Sequence, residues 1–215
     1  MAKPYLDRED AGKKLAAALH KYQDQKDVVV FGLPRGGVPV AFEVARQLKA
    51  PLDILVVRKI GVPGQTELAM GAVASGGVVI QNEQVIRALG IGPDRFDAAV
   101  GSARHELAER EAALRGAELH VDLTDRTVIV VDDGLATGST MRAAVEALQT
   151  MRPGRVVIAV PVGAPEVVDQ LGANADEVVC LLTPPNLVAV GSWYRNFGQT
   201  TELEVRRLVD ASIRP

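Results

Sequence analysis

Two adjacent carboxylates, Asp132 and Asp133, follow directly after the apolar run formed by residues 128–131. A continuous apolar run of this kind predicts a strand that is buried on both faces. At the carboxyl end of a strand in an open parallel sheet, side chains face the crevice in which such sheets bind ligands. We therefore expect both carboxylates to lie in a ligand-binding site.

The segment after the carboxylates combines glycine, hydroxyl side chains and the start of a predicted helix. It consists of Gly134, Leu135, Ala136, Thr137, Gly138, Ser139 and Thr140. At a helix amino end the backbone N–H groups have no intrahelical partner, and the helix dipole favours a negative charge. The N–H groups of residues 136–140, together with the hydroxyls among them, therefore predict a phosphate site.

Three other interpretations of this segment fit less well. Carboxylates that only capped the helix would lie immediately before it, but the helix is predicted to begin at Ser139. A nucleotide-binding P-loop would carry a lysine between the phosphates, and this segment has none. A dinucleotide-binding fingerprint would need the pattern Gly-x-Gly-x-x-Gly, which is also missing here. A phosphate site beside two carboxylates remains the best interpretation.

A second candidate anion site follows the apolar run at residues 28–31. The loop of residues 33–37 leads from that predicted strand into a helix, so its backbone N–H groups resemble those of the first site. Arg35 could add bidentate contacts to an anion, and Gly36 and Gly37 allow close approach of the backbone. The alternative is an ordinary strand-to-helix turn, although such a turn needs no arginine.

Arg58 and Lys59 follow another predicted strand, residues 52–57, and place two cations at the edge of the crevice. A surface-exposed strand end explains these residues equally well. The chain that continues from there to Glu67 is rich in glycine and proline, so we interpret it as an irregular loop.

The remaining pattern alternates apolar runs with amphipathic stretches, which is typical of α/β proteins. Strands are predicted at residues 28–31, 52–57, 69–74, 78–81, 127–131, 155–160 and 177–182. Helices are predicted at residues 7–22, 38–48, 82–116 with a break near 90–93, 139–151, 165–171 and from about 201. Helices between consecutive strands require mainly parallel pairing, so we expect a doubly wound sheet of about five strands. Residues 69–81 are the exception and predict a hairpin.

The composition narrows the function classes. The 215 residues have a formal net charge of -3 and no convincing basic patch, so nucleic acid is not an expected partner. The three histidines lie far apart, which disfavours a zinc site, and the single cysteine, Cys180, fits core packing in a reducing compartment. Without a long apolar run or a signal-peptide core, we expect a soluble, cytoplasmic protein that does not bind a membrane.

Residues 128–140, with four apolar residues, two acids, two variable residues and Ala-Thr-Gly-Ser-Thr, resemble the signature of the type I phosphoribosyltransferases. Residues 33–41, 58–59, 67–73 and 191–194 resemble a little-characterised bacterial subfamily. The resemblance covers most of the chain and implies one domain over residues 1–215. The implied domain has a core at about 24–182, with a loop, hairpin and helical insertion at about 59–117. Its hood lies mainly at 183–215, and the N-terminal helix could contribute to it.

The resemblance also implies roles for individual residues. Asp132 and Asp133 would form the catalytic core and bind the ribose hydroxyls of 5-phosphoribosyl 1-pyrophosphate (PRPP), directly or through Mg²⁺, the one cofactor implied. The 5′-phosphate would bind to Ala136, Thr137, Gly138, Ser139 and Thr140. The pyrophosphate would bind to Arg35, Gly36, Gly37, Arg58 and Lys59.

Two further regions take their expected roles from the family. The stretch that contains Gly61, Gly64 and Glu67 occupies the position of a flexible loop that closes over the substrates. Trp193 and Tyr194 lie in the hood, where the accepting base binds, so they could stack on a planar acceptor. Packing within the hood is the alternative that we favour for these two aromatic residues.

The expected activity is transfer of the phosphoribosyl group from PRPP to a nitrogen of a nucleobase-like acceptor, with release of pyrophosphate, in nucleotide metabolism. A non-catalytic regulator that senses PRPP is the alternative, although no basic helix-turn-helix is evident. A pyrophosphokinase that makes PRPP would need a nucleotide site and a tandem architecture that this length does not suggest. Ala136 stands where the 6-oxopurine branch of the family carries an aspartate, so hypoxanthine and guanine are expected to be poor acceptors. The sequence leaves formation of a homodimer open.

Overall fold

Apolar runs and amphipathic stretches alternate along the chain as strands and helices. The computed structural model describes residues 5–62, 65–114 and 122–213. The strands are β1 (Val28–Gly32), β2 (Leu52–Ile54), β3 (Val57–Val62), β4 (Gln65–Ala74), β5 (Val78–Gln81), β6 (Thr127–Val131), β7 (Arg155–Val162) and β8 (Glu177–Leu182). The helices are α1 (Arg8–Ala18), α2 (Gly37–Leu48), α3 (Glu83–Ala88), α4 (Pro93–Leu114), α5 (Ser139–Thr150), α6 (Pro165–Gly172) and α7 (Glu202–Ile213). The predicted α/β fold class is confirmed.

The central sheet has five parallel strands in the order β2-β1-β6-β7-β8. From β1 the chain passes through α2 to β2 at one side of the sheet, and from β6 it passes through α5 to β7 at the other. The direction of winding therefore reverses between β1 and β6, which pair directly from Val28 opposite Thr127 to Gly32 opposite Val131. A crevice outside the carboxyl ends of the strands is expected at such a switch point.

Helices cover both faces of this sheet because successive side chains of a strand point in opposite directions. In β6, Val128 and Val130 pack in the same cluster as α5 and α6, whereas Ile129 and Val131 pack in the cluster of α1 and α2. Helix α1 begins where Asp7 caps it, since the Asp7 carboxylate accepts a hydrogen bond from the backbone N–H of Asp10 at 2.9 Å. The capped helix brings its first residue towards the crevice between β1 and β6.

A separate antiparallel sheet, in the order β3-β4-β5, corrects one prediction. We expected irregular chain from Arg58 to Glu67, but residues 58–62 belong to β3, and β4 begins at Gln65. The pairing of β3 with β4 continues across a register shift on either side of Gly61. A β-bulge therefore accommodates a sequence that predicts a loop. Ile60 and Met70 bury one face of the hairpin against α4 and α7, and that burial compensates for the weak strand propensity.

The N-terminal segment and the chain after β8 form a hood together. The Tyr5 backbone N–H donates to the carbonyl of Trp193 at 2.6 Å, and the Arg195 N–H donates to the carbonyl of Tyr5 at 2.8 Å. Tyr5 and Tyr194 are buried, with ring centroids 5.4 Å apart. In the described ranges, no helix combines the length and apolar character needed to cross a membrane.

Truncation of the Leu15 side chain tests how much the packing of α1 contributes to the stability of the fold. Leu15 is fully buried in the cluster formed by α1, α2 and the sheet. We expect Leu15→Ala to lower the free energy of unfolding by about 2–5 kcal/mol, because the substitution leaves a cavity in a core that cannot fully collapse. Urea denaturation measures the change. Lys13→Ala, on the exposed side of the same helix, should change it by less than about 0.5 kcal/mol. Equal stabilities of the two variants would contradict the packing of α1.

Candidate active site

Asp132 and Asp133 lie immediately beyond β6, at the carboxyl end of the central sheet. The Asp132 Oδ1 accepts a hydrogen bond from the backbone N–H of Asp133 at 2.8 Å. Asp133 pairs with Arg8 at the start of α1, whose Nε and Nη2 lie 2.9 Å and 2.8 Å from the Asp133 Oδ2. The two acids therefore lie at the edge of the crevice between β1 and β6, and one of them is bound by a sequence-distant arginine.

The environment of the two carboxylates raises the pKa of both. Burial raises the pKa of Asp132 well above its usual range, and the adjacent charge of Asp133 adds to this effect. Burial also raises the pKa of Asp133, while the Arg8 guanidinium partly offsets that effect. A cation or a hydroxyl donor that arrives with a ligand would stabilise the ionised forms.

The chain after the acids turns sharply into α5 at Gly138. Gly138 has a φ of 67°, in the left-handed region, and a Cβ at this position would lie 2.5 Å from the Val167 Cγ1. No side chain of the described residues caps α5, so the first N–H groups of this helix have no capping side-chain oxygen. The hydroxyls of Thr137 and Ser139 lie 3.4 Å apart at this end. An uncapped helix start with hydroxyls beside it can accept an anion, and the predicted binding of a phosphate to residues 136–140 stays a prediction.

The loop between β1 and α2 touches the carboxylates directly. A Cβ on Gly36 would overlap the Asp133 Oδ2 and lie 2.8 Å from the Asp133 Cγ, and one on Gly37 would lie 2.7 Å from the Val131 carbonyl oxygen. The Pro34–Arg35 peptide bond is cis. Arg35 lines a cavity of about 400 Å³ together with Gly36 and Asp133. The two predicted anion loops therefore converge on the same pair of acids.

Arg58 and Lys59 diverge because neighbouring residues of a strand point to opposite sides. Arg58 forms an ion pair with Glu106 of α4. The Lys59 Nζ instead lies 3.0 Å from the Ser139 Oγ, so it extends to the loop of residues 136–140 and not to the loop of Gly36. The predicted pyrophosphate contacts of Arg58 and Lys59 stay predictions, and the geometry favours a phosphate contact for Lys59 at the start of α5.

The predicted flexible loop coincides with the β3-β4 hairpin. Gly61 lies in β3, and a Cβ there would meet no atom within 4 Å. Gly64 lies outside the described residues, and of Glu67 only the backbone, within β4, is described. A closing movement of this hairpin over the substrates stays a prediction.

The hood reaches the acids through Tyr194. Its hydroxyl donates to the backbone carbonyl of Asp133 at 2.5 Å, and burial raises the pKa of Tyr194, so the hydroxyl stays protonated. The ring of Tyr194 packs against Phe197, with centroids 5.0 Å apart. Trp193 is partly buried against the cluster of Tyr5 and Tyr194. Both aromatic residues thus pack beside Tyr5, and their predicted role towards an acceptor stays a prediction.

Sequence reasoning missed two residues of this site, Arg8 and Phe197. The Arg8 guanidinium carbon lies 3.9 Å from the centroid of the Phe197 ring, and both residues line the cavity with Asp133. No local pattern could have revealed Arg8, because it is 125 positions away from Asp133 and resembles an ordinary polar residue at a helix start. Phe197 lies three residues after Tyr194, and its place beside two other aromatic residues was the available signal.

The carboxylate oxygens at this site fit a Mg²⁺ ion that the protein and a bound ligand would share. Across the described part of the chain, no group of three or more His, Cys, Asp or Glu side chains could hold a metal ion. Asp132 and Asp133 would supply hard oxygen ligands, and a bound phosphorylated ligand and water would supply the rest, as is usual for Mg²⁺.

Comparisons with known proteins agree with this geometry. The family described as the phosphoribosyl transferase domain matches residues 2–191. A Mycobacterium tuberculosis protein with the provisional name of a phosphoribosyl transferase is 47% identical over 212 residues, 99% of this chain and 48% of that protein. The chain thus spans about half the length of the curated relatives it matches most fully. The bifunctional protein PyrR of Latilactobacillus sakei is 44% identical over 59 residues, 26% of this chain and 33% of that protein.

A solved structure extends the similarity to the fold. The crystal structure of the protein TT1426 from Thermus thermophilus matches with a TM-score of 0.83 and 41% identity, over 96% of this chain and 97% of that chain. Since the family match covers most of the sequence, the resemblance inferred from residues 128–140 is confirmed. The chain belongs to the phosphoribosyl transferase domain family.

Proposed function

We propose that this chain binds PRPP with Mg²⁺ and transfers the phosphoribosyl group to a nitrogen acceptor, with release of pyrophosphate. The observation that carries the proposal is the close approach of Gly36 to Asp133, which leaves no room for a Cβ between the glycine and the Asp133 carboxylate. Through this close approach, two helix amino ends and two carboxylates surround one crevice at the switch point of the sheet. A ligand with an anion at each end and hydroxyls between them fits that arrangement.

Each part of PRPP has a proposed partner. The 5′-phosphate binds to the N–H groups of residues 136–140, where Lys59 adds a positive charge beside Ser139. The ribose hydroxyls bind to Asp132 and Asp133, directly or through Mg²⁺. The pyrophosphate binds to the loop of residues 33–37, where Arg35 lines the cavity beside Gly36.

The reaction requires no covalent intermediate with the protein. A nitrogen of the acceptor forms a bond to the anomeric carbon while the bond from that carbon to the pyrophosphate oxygen breaks. The pyrophosphate leaves with the electron pair of the broken bond, and the nitrogen loses its proton to solvent. Positive charge that develops on the ribose ring in the transition state is stabilised by Asp132 and Asp133, which the fold holds in place beforehand. Mg²⁺, when bound, neutralises the charge of the departing pyrophosphate.

Calorimetry and a pyrophosphate-release assay test the proposal in sequence. PRPP should bind to the purified chain in the presence of Mg²⁺ and much more weakly in the presence of EDTA. A panel of nucleobases added with PRPP and Mg²⁺ should then identify an acceptor that causes release of pyrophosphate. The absence of PRPP binding would contradict the whole proposal. Tight binding without turnover of any acceptor would favour a regulatory role over catalysis.

Ala136 leads to a prediction about the acceptor. This exposed residue has no side-chain group that can exchange a proton, although it occupies the place of the aspartate that the 6-oxopurine branch carries. We therefore expect hypoxanthine and guanine to be poor acceptors, measured by steady-state release of pyrophosphate with each base in turn. Turnover of either base at the common enzymatic rates of about 1–1000 per second would contradict this inference.

A further inference from the structure

Arg8 connects four parts of the molecule that meet at the crevice. Its Nε and Nη2 contact the Asp133 Oδ2, at 2.9 Å and 2.8 Å. Its Nη1 donates to the backbone carbonyl of Gly198 at 2.7 Å, and its guanidinium lies over the Phe197 ring at 3.9 Å. A Cβ on Gly36 would lie 3.3 Å from the Arg8 Nε, so the arginine also borders the predicted pyrophosphate loop. Helix α1, the acids, that loop and the hood therefore share one side chain.

We propose that Arg8 is a positioning residue for PRPP, which fixes the Asp133 carboxylate in the orientation that receives the sugar and couples the hood to that carboxylate. This inference rests on the proposed function, because it assigns Arg8 a role in the same site. The side chain of Arg8 is only 13% exposed, and its contacts use all three guanidinium nitrogens. Arg8 is therefore anchored in place and behaves as a fixed part of the site.

The geometry of the ion pair indicates that Arg8 positions Asp133 and does not block it. Both the Arg8 Nε and the Arg8 Nη2 contact the same carboxylate oxygen, Oδ2, so the pair does not depend on the Asp133 Oδ1. Arg8 therefore does not have to leave before Asp133 can accept a hydroxyl or bind a metal through its other oxygen. The backbone of Asp133 is held independently, since Tyr194 donates to its carbonyl at 2.5 Å. Asp133 is thus fixed at its main chain by the hood and at its carboxylate by Arg8.

Two cavities give a small ion access to the position of the guanidinium. Asp133 and Phe197 line one cavity, of about 400 Å³. Phe42 and Glu43 line the other, of about 390 Å³. Arg8 and Gly198 line both cavities. If Arg8 is shortened to alanine, a free guanidinium ion can enter the same place. This access permits a chemical rescue, which restores the lost group without changing the rest of the chain.

The test compares PRPP affinity in the presence of Mg²⁺ for the wild type, Arg8→Gln, Arg8→Lys and Arg8→Ala by calorimetry. We expect Arg8→Gln to weaken binding roughly 10–100-fold, as is typical when a residue that orients a functional ligand is replaced. Arg8→Lys keeps the charge but not the two-nitrogen contact, so it should restore only part of the affinity. Millimolar guanidinium should strengthen PRPP binding to Arg8→Ala, whereas sodium at equal ionic strength should not.

Lys14→Gln is the matched control, because Lys14 lies on the same helix and pairs at the surface with Asp10, at 2.7 Å. It should bind PRPP like the wild type. Unchanged or tighter binding by folded Arg8→Gln, or no rescue by guanidinium, would overturn the positioning role while leaving the proposed function intact. Failure of the wild type to bind PRPP would overturn both. If Arg8→Ala does not fold, wild-type affinity in Arg8→Lys would overturn the role, and partial affinity would support it.

Discussion

The double variant Asp132→Asn, Asp133→Asn is expected to lose Mg²⁺-dependent binding of PRPP. Asparagine preserves the shape of each side chain but removes the negative charge that binds Mg²⁺ or accepts hydrogen bonds from ribose hydroxyls. Charge-assisted hydrogen bonds contribute about 1.5–3 kcal/mol each, so the loss of two corresponds to a decrease in affinity of roughly 100- to 10,000-fold. Calorimetric titration with PRPP and Mg²⁺ measures the effect.

Folding should not account for this loss. Burial disfavours the charge on Asp132, so replacement by the neutral amide removes a desolvation cost. Asp133→Asn leaves Arg8 without its charged partner, and thermal unfolding shows how much stability that change removes. Asp24→Asn, in an exposed pair with Lys49, controls for the loss of a surface carboxylate and should bind PRPP normally. A folded double variant with wild-type affinity would contradict the assignment of both acids.

Much of the central sheet could be predicted from the sequence because its signals are local. The strand at Thr127–Val131 and the helix start at Ser139 lie where predicted, since an apolar run ends at two acids and a glycine precedes a helical pattern. The hairpin strand at residues 58–62 could not be predicted. Its pairing with β4 depends on a bulge and on burial against α4, and both come from tertiary contacts that the local sequence does not encode.

The candidate site also has parts that local sequence predicts and parts that depend on long-range contacts. The proximity of the two acids to the loop of residues 33–37 could be predicted, because each segment follows a strand and the switch-point rule places adjacent strand ends together. Arg8 joins them through contacts at separations of 125 positions, to Asp133, and 190 positions, to Gly198. Its role depends on how α1 docks on the sheet, which only the folded chain reveals.

Gly36→Ala is expected to lose PRPP binding while the protein stays folded. The Cβ of alanine would overlap the Asp133 Oδ2 and lie 2.8 Å from its Cγ, so the carboxylate must move. Asp133 has little freedom to move, because Arg8 binds its carboxylate and Tyr194 binds its carbonyl. A displacement of about 1 Å at a reacting group can lower activity on the order of 100-fold, and we expect a similar loss of affinity here.

The backbone of Gly36 separates this effect from a folding defect. Its φ of -63° and ψ of -32° are helical values that alanine adopts without strain, and the residue directly precedes α2. Gly101→Ala is the matched control: in α4 a Cβ on Gly101 would meet no atom within 4 Å, so this variant should keep its affinity and gain about 0.5–1 kcal/mol of stability.

A double-mutant cycle identifies the cause of the loss. If the alanine acts by displacing the Asp133 carboxylate, its effect on PRPP affinity should be much smaller in an Asp133→Asn background, since the group it displaces no longer carries the charge. Fully additive losses from Gly36→Ala and Asp133→Asn would show that the loop of residues 33–37 contributes to binding independently of Asp133. Wild-type affinity in folded Gly36→Ala would contradict the close contact between this loop and the acids, and with it the single crevice on which the proposed function depends.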